Sequence, residues 1–571
     1  MLEVAKMAKY IDGLICILIG VGLLIPMVTG GVVLSQKSSF TPVVSSCDGY
    51  DYVIVTTTDL ENSITHLKEW KEFLGYSVKV VTISWISSNY QGADMQEKIR
   101  NFLIDTYEEW GIHYVLIVGS RNSIPMRDCY PDPATHKNND PYFMAATDYY
   151  YADLTGDWDS DGDGYFGEYS EDNMDFHPEV YVGRIPSDDP DKVEEICQRI
   201  IGFESSSGPW KKNALLLGAV VSYENEVRSL GAMHRTDGAT LMEECWNDIL
   251  KPNDFTPTKM YEKEGIRPSE YPCDYPLNES NVLSEWRKGY GIVNMLGHSA
   301  PAAVYRHVWI SDDGDEIPEI TELRDIRFLD ERDVSELCLK KPPIVFSGGC
   351  VQLYTSRNMG RTFIEDGGAV AFIGSTAISW YNITKKWDDR RDGGSLSIDY
   401  YFFHYLINEN QKCADALYNA KVYYYEHFGF PLTGENQSIK ISAFYQNLYG
   451  FNLYGDPSLG LTTDKTDTDP PTVTIEKPGK YLYISDREII PTGTAIILGN
   501  ITVSVSAADN LTGIDGIEFY VDDELKATVE GEPYEWLWDE RIMGRHTLKA
   551  VAYDNAGNTA AAEQRVWIIN I

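Results

Sequence analysis

The chain has 571 residues, with 87 acidic against 48 basic side chains and a formal net charge of −39. An apolar fraction of 43% and an aromatic fraction of 12% exclude a disordered chain, and the length allows several domains. The charge argues against a nucleic-acid partner, whose phosphates it repels; it fits solubility, cation binding or life in a salty medium.

Lys6 and Lys9 precede an uncharged apolar stretch over 13–36. A basic head before an apolar core predicts an export signal over 1–35, with a small-residue cleavage site at Val33–Ser35. The run is also long enough to cross a bilayer, so an uncleaved anchor, and through it a membrane partner, is the alternative. Export permits disulfides among the nine cysteines, none of which forms a CxxC pair; their pairing is not readable from spacing.

From residue 48 onward, apolar runs of strand length alternate with amphipathic helical patterns. DYVIVTT (51–57), VKVVTI (78–83), YVLIVG (114–119) and VYVGRIP (180–186) read as strands, separated by helical segments at 66–76 and 95–111. An aspartate-rich excursion over 127–178 interrupts them. A second cycle starts at NALLLGAVV (213–221) and continues through IVNML (292–296), PIVFSGG (343–349) and AVAFIG (369–374). This rhythm predicts two doubly wound α/β units side by side, 48–210 and 211–462. A polar, proline-rich stretch over 463–478 reads as a linker. Short alternating strands over 479–571 then predict an immunoglobulin-like β-sandwich.

Two constellations could carry chemistry. The strand IVNML ends in Gly297-His298, and the strand PIVFSGG ends in Gly349-Cys350. Ligands of open α/β sheets bind beyond the carboxyl ends of strands, so parallel strands ending this way bring an imidazole to a thiol. The glycines let backbone amides approach a substrate carbonyl, and the imidazole serves the thiol as base and the leaving amine as acid. The second constellation is DWDSDGDGYFGE (157–168). Asp157, Asp159, Asp161, Asp163 and Glu168 have the spacing of a calcium loop, without the flanking helices of an EF-hand; a register starting at Asp159 also fits. Structural Ca2+ is the cofactor this predicts.

The motifs GHSAP and FSGGCVQLY, with DYVIVTTTDL, YVLIVGS, VYVGRIP and NLYGDPSLGL, resemble the gingipain family of cysteine peptidases, within the caspase-like group, over about 50–462. The resemblance implies a caspase-like fold and an extracytoplasmic endopeptidase acting on proteins or peptides, with Cys350 as nucleophile, His298 as base, and an oxyanion hole near Gly297, Ser299 and Gly349. The family usually has glycine where this chain has Ser299, which puts efficiency in question. Glu179 is the candidate by position for orienting His298. Asp388, Asp389 and Asp392 stand among Lys385, Lys386, Arg390 and Arg391, so no cleavage preference follows. The rival readings are a non-catalytic surface adhesion protein on the same scaffold and a transpeptidase of the same chemistry. Oligomeric state is left open.

Overall fold

The computed structural model describes residues 49–135, 143–228, 231–337, 340–381, 393–428, 437–462 and 467–571. The predicted signal or anchor, three of the cysteines and the charged run around Asp388 lie outside the described residues. Among the described residues no helix is long and apolar enough to cross a membrane, and the six described cysteines are free thiols.

The α/β class and the C-terminal sandwich expected from the sequence are both present. Eleven strands form one sheet. In chain order they are β1 (Tyr52–Thr56), β2 (Val78–Thr82), β3 (Tyr114–Val118), β4 (Tyr181–Ile185), β5 (Asn213–Gly218), β6 (Thr256–Tyr261), β7 (Tyr275–Pro276), β8 (Ile292–Leu296), β9 (Ile344–Ser347), β10 (Ala371–Ser375) and β11 (Phe451–Tyr454). Their order across the sheet is β7-β6-β5-β8-β9-β10-β11-β4-β3-β1-β2. Strands β1, β3, β8 and β9 are buried along their whole length, as strands covered on both faces must be, and they read as unbroken apolar runs.

The two predicted units therefore share one sheet rather than each closing its own. The join is β11, which pairs antiparallel with β10 and parallel with β4. All other pairings in the sheet are parallel, so the halves run in opposite directions and their carboxyl edges face opposite ways. A strand of four residues just after a 14-residue helix carries too short a pattern to stand out in sequence.

Buried charges tie the halves together. Lys71, fully buried, lies 2.8 Å from Glu204 and 3.1 Å from Asp456 just beyond β11, while the Tyr52 hydroxyl donates to Asp456 at 2.8 Å. The sandwich has its own core, around Phe519, Trp538 and Leu548. Its first strand, Thr472–Lys477, pairs with Ile501–Ala508, so the stretch read as a linker to 478 already contains sandwich. The alternation Thr-Val-Thr-Ile-Glu-Lys is a period-two pattern that the preceding prolines obscured. The sandwich touches the α/β part through Lys340, whose Nζ donates to Asp515 at 3.1 Å.

Candidate active site

Strands β8 and β9 are adjacent and parallel, and their last registered pair is Met295–Ser347. His298 and Cys350 each follow that pair by three residues, so the register itself sets imidazole and thiol at the same height beyond the carboxyl edge. Strand β5 flanks β8 with Gly218 opposite Leu296, and its continuation brings in Val221. Strand β10 flanks β9, and its continuation brings in Ser379. These four strand ends line one cavity of about 260 Å³ that includes both His298 and Cys350.

The imidazole of His298 is fixed by a backbone group. Its Nε2 lies 2.8 Å from the Val221 carbonyl oxygen, which can only accept, so Nε2 carries the proton and Nδ1 of the neutral ring is left with a lone pair. Arg228 also donates to the Val221 carbonyl, at 3.0 Å. Its Nη2 stands 3.4 Å from His298 Nε2; two donors face each other there, and the guanidinium opposes a second proton on the ring. Burial, then the nearby His307 and Arg228, lower the His298 pKa to about 4. His307 packs edge-on against the His298 ring, centroids 5.2 Å apart, and is held between Asp325 at 2.6 Å and Glu226 at 3.3 Å.

The Cys350 thiol points at the Ser379 carbonyl, 3.8 Å away. Burial pushes its pKa up, against a lowering pull from Arg228 among others. The resting pair is therefore a neutral thiol beside a neutral imidazole. The Ser379 hydroxyl donates to the Gly348 carbonyl at 2.8 Å, and helix Gln437–Gly450 pins the next residue, Trp380, through Gln446 and Asn447.

The residues expected around the oxyanion fall in the same place. Gly297 and Gly349 line the cavity. A Cβ on Gly297 would sit 2.7 Å from the Tyr305 carbonyl, and one on Gly349 would collide with the Ser299 side chain, so both positions need glycine for space. Ser299 lies in a short strand, His298–Ala300, paired with Ala303–Trp309. An extended backbone accepts serine without strain, and the hydroxyl donates to the Cys350 carbonyl at 2.7 Å, stitching the two loops together. Among the described residues, the Gly349 and Cys350 amides have no hydrogen-bond partner.

Glu179 is elsewhere, and its assignment as the group orienting His298 is corrected. It precedes β4, four strands from β8 in the sheet order, which at about 4.8 Å per strand is roughly 19 Å. Its carboxylate instead accepts from the Leu154 amide at 2.6 Å and the Thr155 hydroxyl at 2.7 Å. The Val221 carbonyl occupies the place expected for it. Backbone acceptors leave no signature in sequence, and Arg228, His307 and Tyr381 come from short strands and a strand-to-helix connection whose approach depends on the whole fold; nothing in their local sequence marks them.

In the aspartate-rich loop, ligand-type oxygens of Asp159, Asp161 and Asp163 lie within 4.8 Å of one another, as do those of Asp161, Glu168 and Glu171. Asp157 belongs to neither group; its Oδ1 accepts from the Asp159 amide. Gly162 and Gly164 both have positive φ, +73° and +86°; the Gly164 amide donates to Asp159 at 3.3 Å, the contact of the later register. Glu171 was not anticipated.

A thiol and an imidazole at the carboxyl edge of a parallel half-sheet, over one cavity, define a nucleophile-type α/β site. A family model described as peptidase family C25 matches residues 46–462, and the chain belongs to that family, a family of cysteine peptidases. A second model, bacterial Ig domain, matches 471–550. The crystal structure of the Arg-specific cysteine proteinase gingipain R is similar in fold, at 16% identity and TM-score 0.50, covering 93% of this chain and 100% of that one. A protein of Archaeoglobus fulgidus described as uncharacterized is 23% identical over 369 residues, 58% of this chain and 77% of its own length.

Proposed function

We propose that this protein is an extracytoplasmic cysteine endopeptidase in which Cys350 is the nucleophile and His298 its proton carrier. The observation that carries this reading is the common cavity, reached by both residues at the same distance past one registered strand pair. His298 Nδ1 takes the thiol proton as sulfur attacks the peptide carbonyl, forming the C–S bond. The C–N bond breaks, the leaving amine takes that proton, and a thioester remains. Water then gives a proton to Nδ1 and bonds its oxygen to the acyl carbon; the C–S bond breaks, and the proton from Nδ1 restores the Cys350 thiol. The Gly349 and Cys350 amides, without a partner among the described residues, are suited to stabilise the oxyanion, and the Val221 carbonyl steadies the imidazolium through Nε2. Ser299 contributes by joining the loops.

The aspartate-rich loop is assigned to structural Ca2+. Carboxylates at alternate residues with a positive-φ glycine are an oxygen donor set of the kind that ion takes. Asp159, Asp161, Asp163, Glu168 and Glu171 would hold it and so fasten the long excursion between β3 and β4. The extracytoplasmic placement rests on the basic-then-apolar N-terminus.

Digestion of a peptide library by the full chain tests the reading. Cleavage is expected from the wild type and not from Cys350→Ala; equal cleavage by both would contradict it.

A further inference from the structure

The cavity beside Cys350 has a chemical character that the peptidase reading does not use. Met233, Ile378 and Trp380 supply apolar wall, while Arg228 and Tyr381 supply polar atoms; among the described residues no acidic side chain lines it. The Arg228 side chain is 30% exposed. It bonds Glu226 through Nε and Val221 through Nη2, which leaves Nη1 without a partner among the described residues. Glu226 is almost fully buried behind the wall, where it also accepts from the Tyr223 amide at 2.9 Å and stands 3.3 Å from His307. Its charge is thus shared between Arg228 and groups behind the wall. The Tyr381 hydroxyl is buried; among the described residues the Ser222 side chain is the hydrogen-bonding group beside it, and no bond of full geometry satisfies it.

A guanidinium with a free N–H and a buried hydroxyl able to donate, on one apolar wall next to the nucleophile, make a carboxylate receptor. A second cation placed there would face the Arg228 guanidinium with no carboxylate on the cavity side, Glu226 lying behind it, and would lose its own hydration, which is costly in a partly buried site. A carboxylate would accept from Arg228 in a charge-assisted bond and from the Tyr381 hydroxyl in a second. Resting on the peptidase reading, we propose that the cavity receives the side chain of the residue whose carbonyl is attacked, and that this residue is aspartate or glutamate. Arg228 and Tyr381 are its specificity determinants.

The test is a set of peptides identical except at that residue, carrying Asp, Glu, Gln or Arg, cleaved by the full chain. The better acidic peptide is expected to exceed the Gln and Arg peptides in kcat/KM by about tenfold or more, the size of a hydrogen-bonded charge pair. Tyr381→Phe removes one oxygen and leaves the ring, so its fold is preserved. It should cut the acid-to-Gln ratio by about fivefold, and Arg228→Gln should bring that ratio near one. Preferred cleavage after Arg, or an acid-to-Gln ratio untouched by Tyr381→Phe, overturns the specificity while a Cys350-dependent peptidase stands. No cleavage of any peptide overturns both.

Discussion

The two halves of the sheet are built alike and finished differently. Beyond the carboxyl ends of β3 and β4, Arg184 fills the space. It is fully buried, bonds Asp148 with two parallel contacts of 2.7 and 2.8 Å, and donates to the Gly119 and Ile124 carbonyls. Around Arg184 the charges are met, and among the described residues no side chain there is left for a ligand. Beyond β8 and β9 the opposite holds: glycines replace side chains, two amides go unpaired among the described residues, and an imidazole is held far below its ordinary pKa. One edge holds its charges in a buried network, while the other holds its groups ready for a ligand.

The contrast predicts that equivalent damage has different consequences in the two halves. His298→Ala should lower kcat/KM by about 10²–10⁴-fold with little change in unfolding midpoint, since it removes a proton carrier from a cavity wall. Arg184→Met should do the reverse, costing about 3–5 kcal/mol in denaturant unfolding by stranding Asp148, while the surviving folded fraction keeps its turnover per molecule. Were both variants to lose stability alike, the distinction between the edges would fail.

Smaller effects sharpen it. Removing calcium with a chelator should lower stability by about 2–3 kcal/mol if the ion is present near 100 times its dissociation constant, and Asp161→Asn should abolish the response, because Asp161 belongs to both carboxylate groups. Ser299→Ala should cost about 1 kcal/mol by deleting its bond to the Cys350 carbonyl. The pH dependence follows from His298. Its folded pKa of about 4 lies below the unfolded value of 6.5, so the unfolded chain binds the proton first. Its contribution is present above pH 6.5 and is lost as pH falls toward 4. The acid-side decline in stability over that window should be shallower in His298→Ala than in the wild type. For Cys350, whose thiol pKa is raised by burial, alkylation by iodoacetamide should keep accelerating above pH 8 with no plateau on the acid side.

What was legible follows physical lines. Strands buried on both faces appear as apolar runs, and the helix Thr65–Leu74 ends where Gly75 takes φ 108°, so β1, β3, β8 and β9 could be placed nearly to the residue. His298 and Cys350 were legible because a strand end fixes both direction and edge. Glu179 misled because its distance from β8 depends on strand order, and that order hinges on β11, a four-residue strand returning from far along the chain. Val221 acts through its carbonyl, which every residue has, and Arg228 and Tyr381 matter only through what lies opposite them.

The central claim is that Cys350 is chemically distinct from the other thiols because His298 serves it. A peptide chloromethyl ketone reacted with the native full chain, followed by mass mapping of the modified cysteines, tests this directly. The predicted result is modification confined to Cys350 and slowed at least about tenfold in His298→Ala. Labelling spread over several cysteines, or a Cys350 rate indifferent to His298, would contradict the account.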